Sequence, residues 1–235
     1  MAAINSSVHV EPRIADLTAD NAEELLTPAD VILDGCDNFE TRYLVNDVAI
    51  KHAIPWIYGA AVGSYGVTMP ILPGRSACLA CVFPAPPKGP QPTCDTAGIL
   101  NVSSSLIASL QVGDAMKILS SKRSRVKPVK PRMLSVDVWE GGIQQIDIGR
   151  PDPGCPVCGQ RKFEYLAGRH RRPVLLCGRN AVQINERPRS LDLKGLSATL
   201  ESLGAVRRNE FALRFICSPY EMTIFPDGRA IIKGT

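Results

Sequence analysis

With 235 residues, 45% of them hydrophobic and 21% charged, the chain has enough apolar content for one sizeable core and a small appended domain, which excludes disorder as a whole-chain description. The net charge of +4 is mild. The basic runs at residues 122–132 and 169–172 lack the interleaved aromatics of a base-stacking surface, so they read as solvated linkers and no nucleic-acid partner is expected.

Residues 1–10 do not resemble a signal peptide. Eight cysteines without an export signal, four of them in two tight pairs, argue for reduced thiols and a metal in a cytoplasmic protein rather than for disulfides. The longest uncharged stretch, residues 53–74, is interrupted by Pro55, Gly59, Gly63, Gly66, Pro70 and Pro73. It cannot form a continuous spanning helix, and no membrane partner is expected.

Residues 8–14 alternate apolar and polar side chains, and Ala22, Leu25 and Leu26 suit a short helix after them. Val31-Ile32-Leu33 is an unbroken apolar run, the signature of a central parallel strand covered on both faces. A helix over residues 39–53 and a strand from Pro55 follow, completing a strand–helix–strand unit of a three-layer α/β domain. Residues 65–72 read as another strand, residues 84–92 as an irregular proline-rich loop, and residues 99–119 as a buried helix containing Leu106, Leu110 and Met116. Residues 133–138 and 142–148 read as antiparallel strands.

After residue 168 the texture changes. Residues 169–173 read as a linker to a small α+β domain over 173–235. It holds strands at 174–177, 181–184, 212–216, 222–225 and 230–232, and a helix over 191–203 capped by Gly204.

Cys78-x-x-Cys81 and Cys155-x-x-Cys158 each let two thiolates reach one ion, and two such turns supply the four soft ligands of a structural Zn²⁺. The interval between them is long for a compact ribbon, so the metal would tie distant parts of one domain together. Two unrelated turns are the competing reading. Gly159 relieves the second turn. Asp37 stands where a parallel strand gives way to a helix, the place where open α/β sheets bind ligands. Its carboxylate either holds a nucleotide-bound Mg²⁺, with Asn38 and Arg42 beside it, or shares in capping the helix with Asn38. Cys94 lies between the proline-rich loop and the start of the long apolar helix. It is either a nucleophile favoured by the helix dipole or a small buried filler. Cys36, Cys177 and Cys217 are expected in the core, and His9, His52 and His170 lack the company of a catalytic base.

The run Asp34-Gly35-Cys36-Asp37-Asn38-Phe39-Glu40-Thr41-Arg42, followed by Cys78-x-x-Cys81, Cys94-x-x-Ala97-Gly98 and Cys155-Pro156-x-Cys158, resembles the ThiF/MoeB/HesA family, bacterial relatives of ubiquitin-activating enzymes. The resemblance implies a Rossmann-like sheet that binds ATP and Mg²⁺ and transfers AMP to the C-terminal glycine of a ubiquitin-like sulfur carrier in thiamine or molybdopterin synthesis. It implies Asp37 at the magnesium, Asn38 and Arg42 at the nucleotide, and Cys94 at the covalent or sulfur-transfer step that some members use. It also implies the four knuckle cysteines at zinc and a homodimer. The glycine-rich phosphate turn of that family is absent before the first strand. The chain is therefore expected to be the later part of such an enzyme, adenylating poorly alone, and the alternative is a non-catalytic zinc-stabilised module for a ubiquitin-like partner.

Overall fold

In the computed structural model, residues 3–87, 92–120, 127–169, 174–176, 181–184 and 190–234 are described. The apolar run of residues 31–33 forms β1 (Ile32–Leu33), which pairs in parallel with β2 (Trp56–Val62). Between them α2 (Phe39–Lys51) makes the crossover, preceded by the short α1 (Ala22–Leu26). Asn38 has extended backbone and its side chain accepts the Thr41 N–H at 2.8 Å, closing the first turn of α2. Ala53 at φ +57° and Pro55 stop the helix.

Beyond β2 the chain turns back through Gly63, whose φ of +60° suits the two-residue hairpin turn. It forms β3 (Tyr65–Ile71) and, after the one-turn helix α3 (Leu79–Val82) and further helices, β4 (Arg132–Asp137) and β5 (Gly142–Asp147), the strands all antiparallel. The sheet order is β1-β2-β3-β4-β5. Alternation along β2 sends Trp56 and Tyr58 towards α2, where they pack with Tyr43, Ala49 and Ile50. Gly59, of the other parity, faces Gln111 of α5 (Asn101–Ser120). Helices thus cover both faces of β2.

A second, six-stranded antiparallel sheet follows: β6 (Val174–Leu176), β7 (Ala181–Ile184), β8 (Ala205–Arg208), β9 (Leu213–Cys217), β10 (Tyr220–Ile224) and β11 (Ala230–Lys233), in the order β6-β7-β11-β10-β9-β8. On it α6 (Leu193–Leu200) packs Leu193, Leu196 and Leu200 against Leu213, Phe215 and Met222.

Several expectations need correction. The alternation along residues 8–14 buries no face: Val8, Val10 and Ile14 are all exposed. Among the described residues β1 is not central: it pairs only with β2, and Leu33 is 42% exposed. In α5 the buried residues are Ser103, Ile107, Gln111, Asp114 and Ala115, while Met116 is 64% exposed and Leu106 and Leu110 are only partly covered. β8 has no counterpart among the expected strands, and α6 is shorter than the span 191–203. Cys217 is exposed and Cys36 half-buried rather than core. Cys177, His170 and most of the expected linker lie outside the described residues. Among the described residues, no helix is long and apolar enough to cross a membrane.

Candidate active site and metal centre

β1 ends in a turn built around Asp34. Its Oδ1 accepts the Cys36 N–H at 2.8 Å, and its Oδ2 accepts from Arg42 Nε at 3.1 Å. Arg42 reaches on to the carbonyls of Cys36 at 2.6 Å and Gly59 at 2.9 Å, and its guanidinium lies over the Tyr58 ring. From the opposite face of the sheet, Gln111 Nε2 donates to the carbonyls of Asp34 at 3.0 Å and Ile57 at 2.9 Å. Both members of the Asp34–Arg42 pair are buried, and the guanidinium is committed to protein acceptors. The network fixes the strand-to-helix turn, and at its tip the exposed Asp37 accepts from Asn38 Nδ2 at 3.2 Å. Asn38, rather than Asp37, is the N-cap of α2.

A cavity of about 1360 Å³ opens over this turn. Asp37, Asn38, Arg42 and Cys94 all line it, so the structure gathers the residues singled out from sequence around one space. Among the described residues, the charged lining residues are Asp34, Asp37, Glu40, Asp47 and Glu164 against Arg42 and Lys162, an excess of negative charge. Cys94 is exposed and opens a separate one-turn helix, α4 (Cys94–Ala97), with a Thr93–Thr96 capping box. It therefore opens α4 rather than α5, which starts at Asn101. The α4 turn is held to the sheet where Gly63 N–H donates to the Gly98 carbonyl and Leu100 N–H to the Gly63 carbonyl, both at 2.9 Å. Cys36 also lines the cavity. Burial, followed by the nearby Asp34 charge, pushes its thiol up to about 12, which leaves it a poor nucleophile near neutrality.

The two knuckles meet. Cys78 Sγ lies 3.8 Å from Cys81 Sγ and 3.7 Å from Cys155 Sγ, and Cys81 Sγ lies 3.3 Å from Cys158 Sγ. All four sulfurs fall within 4.8 Å of one another. Tetrahedral Zn²⁺ with bonds of about 2.3 Å requires sulfurs roughly 3.8 Å apart, so the donor set and spacing fit that ion. As free thiols, burial and then the neighbouring Cys81 push Cys78 up to about 12, and burial followed by Cys81 raises Cys158. At Cys155 burial also acts upward, but the N–H groups of Cys158 and Val157 and the thiols of Cys81 and Cys78 outweigh it and bring the group below its ordinary value. Glycine follows Cys158 for a steric reason: a Cβ on Gly159 would sit 2.3 Å from the Pro153 carbonyl. Ala80, Pro156 and Val157, which lie within the knuckles, form part of the cavity wall.

A model of the ThiF family matches residues 1–157. The chain belongs to the ThiF family. It is similar to the sulfur carrier protein ThiS adenylyltransferase of Bacillus subtilis, 39% identical over 236 residues covering 99% of this chain and 68% of that protein. The sulfur carrier protein adenylyltransferase of Thermus thermophilus is 37% identical over 163 residues, covering 67% of this chain and 59% of that protein. Among solved structures, the E. coli MccB complex with MccA-N7isoASN superposes with a TM-score of 0.55 at 19% identity, covering 67% of this chain and 48% of that one, which shows a shared fold.

Within this ThiF-family chain, sequence reasoning missed Asp34 and Gln111. Gln111 gave a signal in hindsight: it is a polar residue on the face that buries Ile107 and Ala115. Asp34 is a charged residue directly after an apolar strand.

Proposed function

We propose that this chain supplies the adenylate-binding edge, the zinc brace and the carrier-facing loop of a sulfur-carrier adenylyltransferase with a Rossmann-like core. The carrying observation is that Asp37 lines the same cavity as Asn38, Arg42 and Cys94. In the reaction, the C-terminal glycine carboxylate of a ubiquitin-like sulfur carrier attacks the α-phosphorus of ATP. A carboxyl–phosphorus oxygen bridge forms, the bond to the β-phosphate breaks, and pyrophosphate leaves with its electron pair. The acid-rich lining favours a nucleotide that enters with Mg²⁺, and Asp37 is the carboxylate placed to hold it. Mg²⁺ would neutralise charge as pyrophosphate departs. Arg42 acts mainly by shaping the turn, since its guanidinium is already committed to Asp34, Cys36 and Gly59. Cys94, exposed on its own turn, is the candidate for a covalent step after adenylation.

Zn²⁺ held by Cys78, Cys81, Cys155 and Cys158 would have a structural role, bracing the wall of the cavity. The segment 173–235 is proposed as a separate α+β domain. The similarity to the Bacillus ThiS adenylyltransferase extends over 99% of this chain, which favours the thiamine branch over molybdopterin synthesis. The exposed apolar side chains Val112, Met116 and Leu119 on α5 support a homodimer, and the cytoplasm is the proposed location.

Pyrophosphate exchange into ATP, measured with a diglycine-ended carrier, tests this reading. Carrier-dependent exchange abolished by Asp37→Ala is expected. The shortage of cations in the cavity lining favours a second reading, a non-catalytic module that binds a ubiquitin-like partner; tight carrier binding without exchange would establish it instead. Chelation of the purified protein should release zinc, and the metal assignment fails if none is released.

A further inference from the structure

One face of α2 holds both cysteine-bearing segments. Tyr43, Asn46 and Asp47 stand at i, i+3 and i+4 and project to the same side of the helix. Tyr43 Oη donates to the carbonyl of Phe83, just beyond Cys81, at 2.6 Å, and its ring stacks on Tyr165 with centroids 5.0 Å apart. Asn46 Oδ1 accepts the N–H of Leu79, the first residue between Cys78 and Cys81, at 3.0 Å. Asp47 Oδ2 accepts the N–H groups of Tyr165 and Leu166, beyond Cys158, at 3.0 and 3.1 Å.

Asn46 and Asp47 are 0% and 1% exposed. An apolar pair would fill that space without desolvating an amide and a carboxylate. Among the described residues Asn46 Nδ2 has no hydrogen-bond partner, so the amide is held in the orientation in which its oxygen serves the knuckle. The four sulfurs already lie at ligand spacing around a loop that runs from Cys81 to Cys155. Closing a loop of that length has an entropic cost that metal binding alone would otherwise have to offset.

We propose that this face of α2 is a template for the Cys₄ centre, with Asn46 and Asp47 as positioning residues that set the two knuckles at metal-ready spacing. Outer contacts of this kind typically change metal affinity by about 10–100-fold. The proposal concerns the metal centre and stands whether or not the chain adenylates a carrier.

The test compares the full chain with Asn46→Leu and Asp47→Leu, which remove the acceptors at similar volume. Zinc affinity is read by competition with a chromogenic chelator, and Co²⁺ titration is followed by the visible bands of a tetrahedral thiolate site. Each variant is expected to bind zinc on the order of 10-fold to 100-fold more weakly, with altered Co²⁺ bands and an unchanged far-ultraviolet dichroism when zinc is in excess. Asp47→Asn keeps an acceptor oxygen and should restore most of the affinity. Val48→Ala provides the structural control, because Val48 is 0% exposed on the same helix but packs with Ala22 and Leu44. It should lower thermal stability and leave zinc affinity unchanged. Wild-type affinity in both leucine variants overturns the proposal. So does loss of the fold in both with zinc in excess, because the face would then hold the domain rather than the metal centre.

Discussion

α6 and α5 both pack on antiparallel strands, yet they are held by different forces. In α6, Leu193, Leu196 and Leu200 recur at helical spacing and meet Leu213 and Phe215 of the second sheet, so burial of apolar area accounts for the contact. α5 buries Ser103, Gln111 and Asp114 beside Ile107 and Ala115, and leaves Val112 and Met116 48% and 64% exposed. Its seat depends on glutamine donating to strand carbonyls, on the Asp114–Arg132 pair at 3.1 Å, and on glycines in the strands beneath it. α5 is thus fastened to its sheet by specific polar geometry, and α6 to the second sheet by apolar packing.

That contrast predicts the largest effect at the polar lock. Arg42→Leu leaves Asp34 as a buried carboxylate without its cation and should destabilise the part of the chain that carries the Cys₄ cluster by about 3–5 kcal/mol, read from urea denaturation in the presence of zinc. A loss below about 1 kcal/mol, the scale of an exposed pair, would refute the idea that the Asp34–Arg42 pair locks the turn. Next comes Leu213→Ala in the second sheet, where the side chain is 0% exposed. The expected loss is about 3 kcal/mol, confined to one of two thermal transitions if residues 173–235 form their own domain. A single transition shifted as a whole would refute that division. Smaller again is Gly59→Ala: its Cβ would lie 2.4 Å from Gln111 Nε2, and a loss of about 1–3 kcal/mol is expected. Pairing it with Gln111→Ala should recover part of that loss, and additive losses would show that the two do not collide.

The same contrast explains what can be read from the chain. Strands β2 to β5 and the helix α6 follow from apolar runs, alternation and turn residues, and the Cys-x-x-Cys pairs disclose through donor chemistry a Cys₄ cluster that could hold a metal. Asp37 is visible because a strand-to-helix junction has a fixed chemical meaning. The buried face of α5 is misread because Leu106, Leu110 and Met116 are more apolar than Gln111 and Asp114, and periodicity cannot register the Gln111 contacts with Asp34 and Ile57, partners 77 and 54 residues away. α2 is buried from Arg42 to Ile50 without interruption, so it has no single apolar face to detect. The meeting of Cys94 with Asp37 at one cavity likewise depends on how residues 98–100 dock on Gly63, a tertiary contact that no local pattern encodes.

The polar lock also makes a pH prediction, the smallest in size. Cys36 sits against Asp34 and Arg42, and burial, then the Asp34 charge, lifts its thiol from an ordinary value of 9.0 to about 12. Below pH 9 folded and unfolded chains both keep the proton, and the site contributes no pH dependence. Between pH 9 and about 12 the unfolded chain loses that proton while the folded chain retains it, so the unfolded state binds fewer protons and stability falls as pH rises. Tyr43 and Tyr58, both raised mainly by burial, add to the same alkaline loss. Replacing Cys36 with alanine removes one contributor, so urea midpoints of the zinc-loaded variant should decline less steeply across this window than those of the parent chain. Parallel declines would mean that Cys36 is solvated in the folded protein, and that the turn carrying Asp37 is looser than the Asp34–Arg42–Gln111 network implies.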